Sequence, residues 1–168
     1  MLKTAAVGLV FAMAFGASAR AGIQQPASDP VRKVVMTRAK GTFDVKVAPL
    51  PAYDTTEATT LGRMSLDKVY HGDLDGTAKG EMLTGMTSVK NSGAYVAVER
   101  FAGTLAGRRG TFVLHHTGIM DRGSQKLTVT VVPDSGTDQL TGLSGSLNII
   151  IAADGTHSYE FDYSLSTP

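Results

Sequence analysis

Several polar side chains occupy strand positions where an apolar residue is expected. Lys68 lies between Leu66 and Tyr70, Glu99 between Ala97 and Phe101, and His116 between Leu114 and Gly118. Tyr159 and Tyr163 flank Phe161. Side chains two apart on a strand share a face, so each polar group must follow its apolar neighbours. If those faces turn inward, Lys68, Tyr70, Glu99, His116, Tyr159 and Tyr163 bring an ammonium, a carboxylate, an imidazole and phenols together. Burying a lone charge is costly, so the charged members are expected to be paired or hydrated.

That constellation admits different chemistries. Lys68 and Glu99 can form a buried pair, with His116 hydrogen-bonded to a tyrosine or a backbone carbonyl, in a filled structural core. The same groups can line a cavity for a small, partly apolar molecule with one polar or anionic end. Glu99 or His116 can also move a proton in an isomerase- or cyclase-type reaction. An inverted interior would put the whole polar set outside. The residues alone leave these alternatives open.

Other constellations fail on spacing. His115 and His116 are adjacent on a strand and face opposite ways, so they cannot clamp one ion with His71 or His157. No cysteine supplements them, and no metal is expected. Ser144, in Gly142-Leu143-Ser144-Gly145-Ser146, lacks the strand-to-helix turn that a hydrolase nucleophile needs. No glycine-rich loop leads into a helix, so neither a nucleotide nor another cofactor is expected.

The elements that must hold these groups read as strands. Phe43, Val45 and Val47 alternate with polar residues until Pro49 and Pro51. Met64, Leu66, Lys68 and Tyr70 share a face of a second strand. Asp73–Thr84 reads as an irregular third, interrupted by Gly76 and Gly80. Tyr95, Ala97, Glu99, Phe101 and Leu105 line the fourth, followed by a tight turn at Gly107-Arg108-Arg109-Gly110. Phe112, Leu114, His116 and Met120 line the fifth, turned by Asp121-Arg122-Gly123. Leu127, Val129 and Val131 line the sixth, ended by Pro133. Leu147, Ile149 and Ile151 line the seventh. Asp154-Gly155 predicts a hairpin with positive φ at both centres. Tyr159, Phe161, Tyr163 and Leu165 line the eighth. Eight strands with short links predict an all-β domain closed into an antiparallel up-and-down barrel, which has no exposed sheet edge. A barrel of this size holds its own side chains or one small ligand.

The chain has 168 residues, enough for one domain. Its start reads as an export signal over residues 1–21: Lys3, an apolar run over Ala5–Ala17, then Ala19-Arg20-Ala21 as the cleavage site. The apolar run is shorter than the ~20 residues that span a bilayer. A periplasmic or secreted chain beginning at Gly22 is therefore expected, with no integral membrane segment. Residues 22–39, with Pro26, Ser28, Asp29 and Pro30, read as a flexible linker, and 40–166 as the barrel domain. The absence of cysteine leaves stability to the core. Without Lys3 and Arg20, 14 basic residues face 15 acidic ones, so no nucleic-acid partner is expected. Arg32, Lys33, Arg38 and Lys40 read as a solvated leader, with a membrane-surface contact as the alternative. The expected partner is a small-molecule ligand.

Several segments together resemble an uncharacterised bacterial family, domain of unknown function 3224. They are Gly41-Thr42-Phe43-Asp44-Val45, Leu61-Gly62-Arg63-Met64-Ser65, Gly72-Asp73-Leu74 and Gly80-Glu81-Met82-Leu83. The longest runs from Gly93-Ala94-Tyr95 through Glu99-Arg100-Phe101 to Arg109-Gly110-Thr111-Phe112. Val131-Val132-Pro133-Asp134-Ser135-Gly136-Thr137 and Leu140-Thr141-Gly142-Leu143-Ser144-Gly145 complete it, over about residues 40–165. That family is similar to the plant allene oxide cyclase and dirigent barrels. Ser135-Gly136-Thr137, with Leu140, Gly142 and Gly145, resembles their glycine-rich lead into a strand. The resemblance implies an eight-stranded, allene-oxide-cyclase-like antiparallel barrel. It carries over no pocket residue and no cyclase chemistry.

Overall fold

The computed structural model describes residues 35–52, 54 and 59–166. The expected signal peptide, 1–21, lies outside these residues, as does most of the expected linker, 22–39. Eight strands follow in order: β1 (Thr37–Leu50), β2 (Thr59–Gly72), β3 (Leu74–Thr87), β4 (Gly93–Leu105), β5 (Arg108–Asp121), β6 (Ser124–Val131), β7 (Leu143–Ile151) and β8 (His157–Leu165). Each pairs antiparallel with its neighbours in chain order, and β8 closes on β1. The chain is thus an all-β, eight-stranded, up-and-down closed barrel.

Residues 37–39 of the expected linker belong to β1, where Thr37 pairs with Tyr163 and Ala39 is buried. Two basic residues of the supposed leader are on this strand as well. Arg38 Nε lies 2.6 Å from Asp162 Oδ1, and Lys40 Nζ 2.8 Å from Glu160 Oε1, so both are tied to β8. The third strand is continuous rather than interrupted. Its glycines let β3 and β4 approach closely: a Cβ on Gly80 would strike the Val98 carbonyl oxygen, and Gly76 has φ +154°.

The turns differ from expectation in two places. The β4–β5 turn is Ala106-Gly107, with φ +48° and +78°, and Arg108 and Arg109 are already in β5. Positive φ at both centres is also found at Arg122-Gly123 between β5 and β6. At Asp154-Gly155 only the glycine has positive φ. There Gly155 N–H donates to Ala152 O, and Asp154 Oδ1 accepts from Thr156 N–H at 2.9 Å, making a longer loop. The aspartate's acceptor favours this local bond over the two-residue turn.

The β6–β7 connection, residues 132–142, takes over part of a strand's work. β6 pairs with β5 only from Leu114 onward, so the start of β5, paired with β4 on one side, has no strand on the other. Side chains fill the gap at alternate residues. Gln139 Oε1 accepts from Arg109 N–H, Thr137 Oγ1 from Thr111 N–H and Ser135 Oγ from Val113 N–H, at 2.8–3.0 Å. The same connection makes a short 3-10 turn, Asp138–Leu140, whose Leu140 is fully buried. The segment leads into β7 at Leu143, as expected, and also caps one end of the barrel.

The core is concentrated at that capped end. Leu74, Leu105, Leu140 and Leu143 are buried there with Phe101, Phe112 and Phe161. Phe112 and Phe161 stack at 5.8 Å, and Phe161 and Tyr163 at 5.3 Å. The opposite end, where β1 meets β2, β3 meets β4, β5 meets β6 and β7 meets β8, is hollow.

Candidate functional site

Strand parity carries Lys68 on β2, Glu99 on β4 and His116 on β5 into the interior, buried to within 6%, 1% and 3% exposure. They meet. Lys68 Nζ stands 3.0 Å from Glu99 Oε1 and 2.9 Å from Oε2, donating its hydrogen bond to Oε1. Tyr70 O–H donates to the same Oε1 at 2.9 Å. His116 Nε2 lies 3.3 Å from Oε1, off the line of a hydrogen bond, and has no hydrogen-bond partner. The nearest partner of His116 is thus the Glu99 carboxylate, not the tyrosine or backbone carbonyl expected from the sequence. Phe43 lies under the ammonium, 4.8 Å from Lys68 Nζ, and adds a cation–π contact. The polar set faces inward, which rules out the inverted interior.

Tyr159 and Tyr163 also point inward, but away from the charges. Tyr159 packs edge-on against Tyr70 at 5.6 Å, and its oxygen accepts from Leu74 N–H at 2.7 Å, bracing the β2–β3 turn. Tyr163 joins the aromatic stack on Phe161. Neither lines the cavity described next.

That cavity occupies the hollow end, with a volume of about 510 Å³. Lys68 and His116 line its floor, and Tyr70 and Glu99 lie behind them. Its walls are mostly apolar, including Val45, Leu66, Ala97 and Ile149. All four methionines of the strands, Met64, Met82, Met86 and Met120, face into it. Tyr95 lies over Gly118, where a Cβ would collide with its ring. Lys126 and His157 also line the cavity, and no Asp or Glu among the described residues does. The β6–β7 seam beside it holds a single register pair, Thr130 with Ser146. Beyond that pair, toward the hollow end, Leu127 and Ile149 line the cavity from the two sides of the seam.

Spacing had singled out the charged floor but not the methionines, Tyr95, Lys126 or His157. Their signal was available: Tyr95 and Glu99 share a parity, as do Met64 and Lys68. His115 is exposed while His116 is buried, so the adjacent histidines do face opposite ways. Among the described residues, no three His, Cys, Asp or Glu side chains are grouped to hold a metal ion. No helix among them is long and apolar enough to cross a membrane.

The electrostatics follow from this geometry. Burial pushes the Glu99 carboxyl up, but the His116 ring and the Lys68 ammonium outweigh it and hold the group at about 2. Burial, reinforced by Glu99, pushes the Tyr70 phenol well above its ordinary range, so it remains a donor. The sign for stability is that of a depressed carboxyl. The contribution is full above the unfolded value near 4.5 and disappears as pH falls through about 2. Native protein is thus expected to lose about 3 kcal/mol across that window from this one group. Urea titrations along the acid limb should show a much shallower loss for Glu99→Gln. Parallel acid limbs for the two proteins would contradict the assignment.

The fold and site define a class: a closed eight-stranded barrel, packed at one end, with a buried ion network flooring a cavity at the other. The chain belongs to the DUF3224 family, whose model, described as "Protein of unknown function (DUF3224)", matches residues 39–163. It is similar to a crystal structure of a protein of unknown function from the DUF3224 family of Shewanella oneidensis MR-1. The two are 47% identical, with a TM-score of 0.76 over 80% of this chain and 100% of that one. No curated protein matches.

Proposed function

We propose that this is an exported binding protein that holds a small, partly apolar molecule in the hollow end, its polar end on Lys68 and His116. The observation that carries the reading is a mostly apolar cavity of about 510 Å³ with the polar side chains of Lys68 and His116 on its floor. Concave, mostly apolar sites with a few convergent polar groups are the usual small-molecule sites. The volume is within the usual range for small-molecule sites. Export rests on the sequence Met1–Ala21. Native mass spectrometry of protein isolated from the cells that make it tests both parts. The expected spectrum shows a chain beginning at Gly22 with a discrete small-molecule adduct that unfolding releases. A chain that retains Met1 would overturn export, and a bare barrel would overturn binding.

The 3.3 Å approach of His116 to Glu99 favours a second reading, proton transfer in an isomerase- or cyclase-type reaction. In that case Glu99→Gln should release a different isomer from the one released by the native protein. Identical released molecules would leave binding alone.

A further inference from the structure

The charge count on the cavity floor narrows the ligand. Glu99 stands behind Lys68 and His116 and does not itself line the cavity. With Glu99 ionised, Lys68 and Glu99 cancel, leaving a neutral pair. His116 is the third member, with Nε2 buried against the carboxylate at 3.3 Å. A doubly protonated ring, with Nε2–H turned to Glu99, would give the floor a net charge of plus one.

The groups around the imidazole agree. From β4 come Glu99 and, along the cavity wall, Tyr95. From β2 come Lys68 and Tyr70, both bonded to the Glu99 carboxylate. From β6 and β8 the titratable wall residues are Lys126 and His157. Among the described residues, no carboxylate lines the cavity to repel an anion. The remaining walls are apolar, and methionine thioethers pack well against rings and chains of varied shape.

Resting on the binding reading above, we propose that the ligand is a small monocarboxylate with an apolar body, bound together with one proton taken up by His116. The balance is complete. The ligand enters as the anion, one proton passes from solvent to His116, and the floor with its ligand ends neutral. No covalent bond forms or breaks. The carboxylate receives hydrogen bonds from Lys68 and from Nδ1–H of the imidazolium, while Glu99 holds Nε2–H and the ammonium from behind.

Isothermal titration with hydrocinnamate, and with 3-phenylpropan-1-ol as its uncharged counterpart, tests this. Hydrocinnamate is expected to bind more tightly than the alcohol. Its affinity should fall as pH rises, with a limiting slope of about tenfold per pH unit, as uptake of one proton demands. The heat should vary with the ionisation enthalpy of the buffer in proportion to one proton. His116→Gln keeps a polar side chain of similar reach but cannot take the proton. It should abolish the pH dependence and bring the acid and alcohol affinities together. Equal native affinities, or buffer-independent heats, would overturn proton-coupled carboxylate binding and leave the pocket standing. Failure of both probes to bind would overturn the pocket as well.

Discussion

Glu99→Ala is expected to destabilise the barrel by about 3–5 kcal/mol, because it leaves the Lys68 ammonium buried without a counter-charge. Lys68 is only 6% exposed, so it cannot recover the loss by turning to solvent. Tyr70 would lose its acceptor at the same time. The double replacement Glu99→Leu with Lys68→Met removes both charges and fills similar volume. It should recover much of that stability, since apolar substitutes for buried pairs are often neutral or better. A purely structural pair would end there. Under the binding reading the double variant folds and loses affinity for a polar-headed ligand. Chemical denaturation of the two variants, followed through the midpoint at constant slope, measures the stabilities. A single variant as stable as the native protein would contradict the buried-pair account.

Phe161→Ala is expected to cost a similar ~3–5 kcal/mol at the packed end. Phe161 is fully buried, stacked between Phe112 and Tyr163, and its removal leaves a void that the surrounding strands cannot close. Met82→Ala should cost less than about 1 kcal/mol, because a half-buried side chain beside an existing cavity leaves little new void. The contrast measures the asymmetry of the barrel. Equal losses in thermal or urea unfolding would mean that the two ends are packed alike.

Period-2 parity was enough to read the barrel and to send Lys68, Glu99 and His116 to one interior. It works because a one-residue slip would put Leu66, Phe101 and Leu114 in water. Parity does not give height along the barrel axis. Tyr163 has the right face, yet the β8 register with Thr37 and Gly145 places it in the packed end, away from Lys68. Height also separates the methionines, which lie on the hollow side of the charged floor, from Phe101, Phe112 and Phe161 on the other. The connection at 132–142 was opaque for another reason. Ser135, Thr137 and Gln139 look like ordinary loop residues, and their bonds to Arg109, Thr111 and Val113 exist only once β5 lacks a strand beside it.

The most direct test of the hollow end is methyl NMR of the methionines during titration with 3-phenylpropan-1-ol. Met64, Met82, Met86 and Met120 face the cavity from three strands, whereas Met36 is exposed outside the barrel strands. The account predicts that the four cavity resonances shift along one saturating curve while Met36 stays put. Four unmoved cavity methyls, or a Met36 shift that matches theirs, would contradict it.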